Sequence, residues 1–240
     1  MIAAVRSFIT YVAVIAYILV VGSVGLLVAA IFRWEGLLYA LGHAGCWIAL
    51  TLAGIRYRVV GRENIPRAAV VFCSNHESNI DPPVLFQSLH RRLHILYKAE
   101  LRKFPIMKTV FDVGGFVPVD RADREKSMAS IERGADSLRA GNSFLIFPEG
   151  TRSRDGQLLP FKKGGFIMAL QAQVPIVPVA VQGGRDAMRK GSAVVRPVNV
   201  TVRVGPPIPT AGLAFADRDA LIERVRSEVQ NLLSQGPVTV

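Results

Sequence analysis

The sequence predicts an α/β fold, with a mixed, largely parallel sheet flanked by helices, preceded by an N-terminal two-helix membrane hairpin. Short apolar runs rich in β-branched residues alternate with segments of helical periodicity after residue 55, and this alternation is typical of α/β domains. Two long stretches without charged residues precede them. Polar residues follow directly after three of the predicted strands, which is where such sheets bind their ligands.

The first uncharged stretch runs from Phe8 to Phe32 and the second from Gly36 to Ile55. At about 1.5 Å per residue the first would form a helix of about 37 Å, longer than a hydrocarbon core of about 30 Å, and the second is just long enough to cross it. The first also far exceeds the apolar core of a secretory signal peptide, so we predict retained membrane helices. Three residues connect the two stretches, which indicates a hairpin.

Basic residues lie at both outer ends of this hairpin, with Arg6 at one end and Arg56 and Arg58 at the other. The positive-inside rule places these ends in the cytoplasm, so we predict a protein of the cell (inner) membrane whose α/β domain faces the cytoplasm. A helix pair lying in one leaflet is the alternative, with the same orientation of the rest. We expect residues 1–57 to be a membrane-anchoring helix pair and residues 58–240 to be the α/β domain.

The net charge of +11 is concentrated in the predicted α/β domain. Residues 1–57 hold three arginines and one glutamate, a net +2, which leaves +9 for residues 58–240. A basic domain tethered to a membrane suggests a phospholipid surface or phosphorylated ligands as partners. Nucleic acid is not expected, because the basic residues form no aromatic-interleaved patch. Cys46 and Cys73 lie in apolar segments and suggest neither a disulfide framework nor a metal site, as in the reducing cytoplasm.

The predicted strands are short apolar runs bounded by turn residues. They cover residues 56–60, 68–73, 94–98, 115–119, 143–147, 175–181 and 199–204, with the first of them at an edge of the sheet. The predicted helices share apolar positions at helical spacing. They cover residues 84–89, 124–139, 166–173 and 220–233.

The strand at 68–73 is followed by Ser74-Asn75-His76-Glu77-Ser78-Asn79-Ile80-Asp81. Two prolines follow Asp81, so the next helix should start only after it. His76 and Asp81 then share a turn, where the carboxylate can fold back and fix the tautomer of a neutral histidine able to accept a proton. Taken alone, this spacing is more typical of a helix-capping aspartate and a buried structural histidine.

Two further strand ends carry charged side chains, and they favour a functional role for His76 and Asp81 over the structural one. Asp120 and Arg121 follow the strand at 115–119, and Pro148-Glu149-Gly150-Thr151-Arg152 follows the strand at 143–147. Arginine offers phosphate two parallel donors, and glycine allows a close backbone approach; the alternative is a turn with a surface ion pair. No G-x-S-x-G elbow is present and no second histidine lies near His76, so we expect neither a serine nucleophile nor a metal site.

These segments resemble the glycerolipid acyltransferases, in particular the bacterial 1-acyl-sn-glycerol-3-phosphate acyltransferases. Four blocks stand in the family's order and together span about residues 58–205. They are N-H-x-S-x-x-D at 75–81, the arginine-ending block at 115–121, F-P-E-G-T-R-S at 147–153 and V-P-I-x-P at 174–178. The apolar N-terminal helix pair is also similar to the family's. Glu77 is the one departure, at a variable position.

The resemblance implies transfer of a fatty acyl group from acyl-CoA or acyl carrier protein to the sn-2 hydroxyl of 1-acyl-sn-glycerol-3-phosphate (lysophosphatidic acid), giving phosphatidic acid without any cofactor. His76 would be the general base, oriented by Asp81. Arg152 and Arg121 would bind the acceptor phosphate, with Lys98 as a third cation.

The other residues of the third block, Glu149, Gly150 and Thr151, would belong to the substrate-binding site by the same resemblance. Another lysophospholipid or a lyso-ornithine lipid is the alternative acceptor. A membrane-anchored lipid-binding scaffold is the non-enzymatic alternative. The intact His76 and Asp81 argue against a scaffold, because a silent relative could lose either residue without harm to its fold.

Overall fold

The computed structural model describes residues 2–90, 92–120 and 123–238. Within these residues seven strands form one sheet in the order β1-β7-β6-β2-β5-β3-β4. The strands are β1 (Arg56–Val60), β2 (Val71–Ser74), β3 (Leu93–Lys98), β4 (Val117–Val119), β5 (Ser143–Ile146), β6 (Ile176–Gln182) and β7 (Asn199–Val204). The predicted edge strand at 56–60 is confirmed. It begins two residues before residue 58, where we predicted the start of the α/β domain. That domain boundary stays a prediction.

The N-terminal helices are α1 (Ile2–Tyr17) and α2 (Ser23–Ile31), joined through a π-helical turn at Ile18–Gly22, and α3 (Glu35–Ala53). The helices that follow are α4 (Asp81–Ser88), α5 (Pro105–Val113), α6 (Arg124–Arg139), α7 (Gly164–Ala172), α8 (Gly184–Ala187) and α9 (Arg218–Ser234). The sequence predicts that this helix starts only after Asp81, but α4 begins at Asp81 itself. The two prolines occupy its first turn, where their missing N–H groups would have no helical partner.

The sheet is mixed and largely parallel, which confirms the predicted fold class. Strands β6, β2, β5, β3 and β4 run parallel to one another, whereas β7 pairs antiparallel with β6 and parallel with β1. The carboxyl ends of the five parallel strands therefore meet at one edge of the sheet. The loops that follow β2, β3, β4, β5 and β6 leave from that edge.

Two apolar layers cover the faces of the sheet. On one face Phe144 packs with side chains of α6, α7 and α9, including the fully buried Phe166. On the other face Phe72 and Leu145 pack with α4 and with the end of α3, where Leu50 is buried. Burying one such side chain stabilises the fold by about 1.5–3 kcal/mol, so this packing holds the strand ends in register.

Two N-terminal helices of the described residues, Ile2–Ile31 and Glu35–Ala53, are long and apolar enough to cross a membrane. They pack against each other, and the Tyr17 hydroxyl donates to the carbonyl of Leu41 at 2.9 Å. Most of the apolar side chains of Ile2–Ile31 are exposed, among them Phe8 and Leu19. Such a surface is far more apolar than water-facing helices allow.

The outer end of this helix pair is tied to the α/β domain. The Ser7 hydroxyl accepts a hydrogen bond from the backbone N–H of Val195 at 2.8 Å. The Tyr11 hydroxyl donates to the carbonyl of Ala193 at 2.7 Å. Helix α1 therefore lies along the loop that leads from α8 to β7.

The turn of the hairpin is tied to the same domain. Glu35 Oε1 lies 3.2 Å from Nε2 of His94, which is buried at the start of β3. The Tyr39 hydroxyl lies 3.1 Å from the carbonyl oxygens of both Leu93 and Gly114. Since both its outer end and its turn contact the α/β domain, the helix pair lies along the domain and does not project away from it.

Replacing Tyr39 by phenylalanine should loosen the hairpin turn. The change leaves two backbone carbonyls without their shared donor, which costs about 1–2 kcal/mol and should lower the thermal midpoint of the detergent-solubilised protein by about 2–6 °C. Tyr11→Phe is the matched control, because its hydrogen bond is exposed and its loss should change the midpoint by less. Equal effects of the two variants would contradict the docking of the turn.

Candidate active site

The His76–Asp81 turn lies directly after β2, the middle strand of the seven-stranded sheet. Nδ1 of His76 lies 2.9 Å from Oδ2 of Asp81. The same oxygen accepts the backbone N–H groups of Glu77 and Ser78, each at 2.7 Å. All three donors belong to the loop before α4, so Asp81 binds this loop and does not act as an ordinary helix cap.

The histidine is held in one orientation and keeps one nitrogen available. Its ring stacks on Phe147, with 4.2 Å between ring centroids and an interplanar angle of 25°. The Asp81 carboxylate is fully buried, whereas the His76 side chain is 17% exposed. Because a carboxylate can only accept at neutral pH, Nδ1 carries the proton and Nε2 keeps its lone pair. With Nδ1 donating to Asp81, Nε2 is the ring nitrogen that can accept a proton.

The loop after β5 bonds both backbone polar groups of His76, its N–H and its carbonyl. Oε1 of Glu149 accepts the His76 N–H at 2.7 Å, and the His76 carbonyl accepts the N–H of Ser153 at 2.8 Å. Oε2 of Glu149 accepts the N–H of Leu159 at 3.0 Å. Burial raises the pKa of the Glu149 carboxyl above its usual value. Glu149 thus joins the loop after β5 to the His76 turn, and each of its oxygens accepts a backbone N–H group.

Two lysines that sequence reasoning missed lie on the Gly150–Arg152 segment. Gly150 has a positive φ of +68°, and a Cβ there would lie 2.7 Å from Nζ of Lys162. Nζ of Lys190 donates to the Thr151 hydroxyl at 3.0 Å and to the Arg152 carbonyl at 2.9 Å. The only sequence signal for Lys162 was a pair of adjacent basic residues followed by a glycine pair, at 162–165. No sequence signal pointed to Lys190.

The structure describes two of the three predicted phosphate-binding cations, and their environments differ. The Arg152 side chain is half-buried and makes no hydrogen bond or ion pair with the described residues. Lys98 ends β3 and pairs with Glu100 at 3.1 Å, with both side chains more than half exposed, so a ligand could displace this weak surface pair. Arg121 lies outside the described residues. The edge of the sheet therefore brings a guanidinium that has no partner among the described residues close to the residues that hold His76.

Comparison with known proteins identifies the family. The sequence profile of the family described as Acyltransferase matches residues 56–182. The chain belongs to the acyltransferase family. It is 32% identical over 221 residues to the 1-acyl-sn-glycerol-3-phosphate acyltransferase of Limnanthes douglasii, covering 89% of this chain and 78% of that one. It is 35% identical over 177 residues to the human 1-acyl-sn-glycerol-3-phosphate acyltransferase alpha, covering 73% and 62%.

A bacterial relative and a solved structure agree with this assignment. The 1-acyl-sn-glycerol-3-phosphate acyltransferase of Borreliella burgdorferi is 32% identical over 183 residues, covering 76% of this chain and 73% of that one. The crystal structure of the 1-acyl-sn-glycerophosphate (LPA) acyltransferase PlsC from Thermotoga maritima superposes with a TM-score of 0.82 at 23% identity. That match covers 99% of this chain and 98% of the other, so the two share their fold, including the N-terminal helices.

Other polar residues of the turn after β2 support its shape. The Asn75 side chain bonds the backbone of Val181 twice, donating at 2.9 Å and accepting at 2.7 Å. The Ser78 hydroxyl donates to the carbonyl of Met188 at 2.8 Å and is fully buried. Ser78 therefore ties this turn to the segment after α8.

Glu77 has an unusual environment for a carboxyl group. It is only 9% exposed, and its Oε1 lies 3.4 Å from the side-chain nitrogen of Asn75. Burial and, next, the nearby Asp81 carboxylate raise the pKa of Glu77 from 4.5 to about 7. Between pH 4.5 and about pH 7 the Glu77 carboxyl therefore stays protonated in the folded protein, whereas it is ionised in the unfolded chain. The ionised form is destabilising above pH 7.

Replacing Glu77 by glutamine should therefore stabilise the protein in a pH-dependent way. The raised pKa corresponds to about 3 kcal/mol of lost stability once pH exceeds 7, and to much less near pH 5. Thermal midpoints in detergent should show Glu77→Gln above the natural protein at pH 8 and close to it at pH 5. A stability difference that does not change between these pH values would contradict the proposed titration of Glu77.

Proposed function

We propose that this acyltransferase moves a fatty acyl group from acyl-CoA or acyl carrier protein to the sn-2 hydroxyl of lysophosphatidic acid, giving phosphatidic acid. The single observation that carries the chemistry is the oriented His76–Asp81 pair at the centre of the sheet edge. The acceptor is supported by the names of the relatives from Limnanthes douglasii, human and Borreliella burgdorferi, each a 1-acyl-sn-glycerol-3-phosphate acyltransferase.

In the proposed reaction Nε2 of His76 removes the proton of the sn-2 hydroxyl as its oxygen attacks the thioester carbonyl carbon. The ester C–O bond forms and the C–S bond breaks, and the proton taken by His76 is returned to the leaving thiolate. The imidazolium formed in between is stabilised by the buried Asp81 carboxylate, which already binds Nδ1. General base catalysis of this kind contributes a factor of about 10²–10⁴ in rate.

The acceptor phosphate would be bound by Arg152, with Lys98 and Arg121 as further cations. Arg152 suits this role because its guanidinium has no partner among the described residues and can offer two parallel donors. Lys190 and Glu149 bond the backbone of the same loop, at the Arg152 carbonyl and at the Leu159 N–H. A rigid loop keeps the distance between phosphate and His76 constant, and positioning of this kind lowers the barrier of a two-substrate reaction.

The enzyme would work at the cytoplasmic face of the cell membrane, with its helix pair in one leaflet. A hairpin that crossed the bilayer would carry its turn away from the α/β domain. Here Tyr39, close to the turn, bonds the domain as Ser7 does near the outer end. The exposed apolar face of the pair, typified by Phe8 and Leu19, would lie among the acyl chains.

An acyl-transfer assay against a panel of lysolipids tests the proposal. Purified enzyme in mixed micelles should acylate lysophosphatidic acid in preference to uncharged monoacylglycerol and to lyso-ornithine lipid. His76→Ala should abolish transfer and leave the thermal midpoint and membrane binding unchanged. A preference for a lipid without phosphate would overturn the acceptor assignment. Retention of more than a few per cent of activity in His76→Ala would remove the histidine from the role of base.

Arg152→Lys separates phosphate recognition from catalysis. Lysine keeps the charge and loses the paired donors, which should cost about 1.5–3 kcal/mol. The expected result is a loss of about 10- to 150-fold in kcat/KM for lysophosphatidic acid, with a much smaller change in the KM of the acyl donor. Arg154→Lys is the matched control, because Arg154 is exposed two residues further on. A raised donor KM with an unchanged acceptor KM would place Arg152 in the donor site.

A further inference from the structure

An apolar surface lies next to Lys98, outside the His76 site and outside the N-terminal helices. It consists of Leu101, Phe104, Ile106 and Met107, whose side chains are 39%, 61%, 68% and 47% exposed. We call these four residues the α5 patch, since they occupy the turn before α5 and its first turn. Four large apolar side chains exposed within seven consecutive residues are uncommon on a water-facing surface.

The α5 patch points outward because the rest of its segment is anchored inward. Phe111 of α5 is buried and packs on Tyr97, with 4.0 Å between ring centroids. Arg102 donates to Oδ1 of Asp112 at 2.6 Å and to the Tyr97 hydroxyl at 3.0 Å. These contacts fix the segment on the end of β3, so the patch cannot turn into the core without breaking them.

The α5 patch adjoins the apolar surface of the helix pair. Helix α5 contacts both α2 and α3, and the Tyr39 hydroxyl bonds the carbonyl of Gly114, at the end of α5, at 3.1 Å. On α2 the side chains of Leu27 and Ile31 are 62% and 64% exposed. The apolar surface of the membrane helices is therefore continued by the patch on the α/β domain.

Charge around the α5 patch fits a phospholipid surface. Lys103 and Lys108 are exposed, one between members of the patch and one directly after it, and neither forms an ion pair with the described residues. Trp34, 58% exposed at the hairpin turn, supplies an aromatic ring of the kind found at bilayer interfaces. Lysines beside large apolar side chains are typical of segments that insert between anionic head groups.

We propose that the α5 patch inserts into the head-group region of the leaflet that holds the helix pair, as a second membrane contact made by the α/β domain itself. This inference rests on the proposed membrane location of the enzyme. Lys98 directly precedes the segment and ends a strand at the edge that carries His76. Seating the patch in the leaflet brings this edge to the bilayer surface, where a lysolipid could enter with its phosphate facing Lys98 and its acyl chain still among the lipids.

Spin-label accessibility on the full-length protein tests the inference. Single cysteines are placed at Ile106 or Met107, and at Met128 as a matched control, in a Cys46→Ala background; Cys73 is fully buried and stays unlabelled. Met128 is 41% exposed and lies on α6, which covers the face of the sheet opposite the helix pair. The labelled proteins are reconstituted into vesicles of phosphatidylethanolamine and phosphatidylglycerol. Collisions with oxygen and with a water-soluble nickel chelate are then compared.

The expected oxygen-to-nickel collision ratio at 106 and 107 in the vesicles is several-fold higher than at 128. Equal ratios at the three positions in vesicles would overturn the proposal. Shielding of the 106 label from both reagents, with broadening by a second label, would overturn it in favour of contact with another copy of the chain. Since this readout needs no turnover, its failure is distinguishable from a failure of the acyl-transfer assay.

Discussion

The Asp81 carboxylate determines the geometry of the whole site. One of its oxygens receives the His76 ring and two backbone N–H groups, all within 2.9 Å. Charged hydrogen bonds of this kind are about twice as strong as neutral ones, and the buried charge would be costly without them. A Cβ at position 184 would come within 2.2 Å of the other oxygen, so only glycine lets the loop after β6 close over the carboxylate.

The loop after β5 has two separate tasks, and different residues perform them. Each carboxylate oxygen of Glu149 accepts one backbone N–H group, from His76 and from Leu159, so Glu149 fixes the position of the loop. Arg152 has a side chain without a partner among the described residues and is suited to bind an anion. Arg152 therefore lies in sequence between the two residues, Glu149 and Ser153, that bond the backbone of His76.

The sequence was sufficient for the elements whose evidence is local. The spacing of His76 and Asp81, the strand before them and the succession of strands and helices along the chain follow from adjacent residues and their periodicity. Helix α5 was missed because Phe104-Pro105 and Gly114-Gly115 enclose only a short helical segment. The Lys190–Thr151 bond joins residues 39 apart, and the docking of the hairpin turn joins Glu35 to His94, 59 apart. No local pattern encodes contacts at such distances.

As the proposed base, His76 must hold a proton on Nδ1 and keep a lone pair on Nε2. Nitrogen NMR of the protein with ¹⁵N-labelled histidine, assigned by comparison with His76→Ala, tests this claim most directly. At neutral pH the spectrum should show a protonated, strongly hydrogen-bonded Nδ1 and an unprotonated Nε2 for His76, because the Asp81 carboxylate accepts at Nδ1. A proton on Nε2 in the resting enzyme would contradict the account, since no lone pair would then face the acceptor hydroxyl.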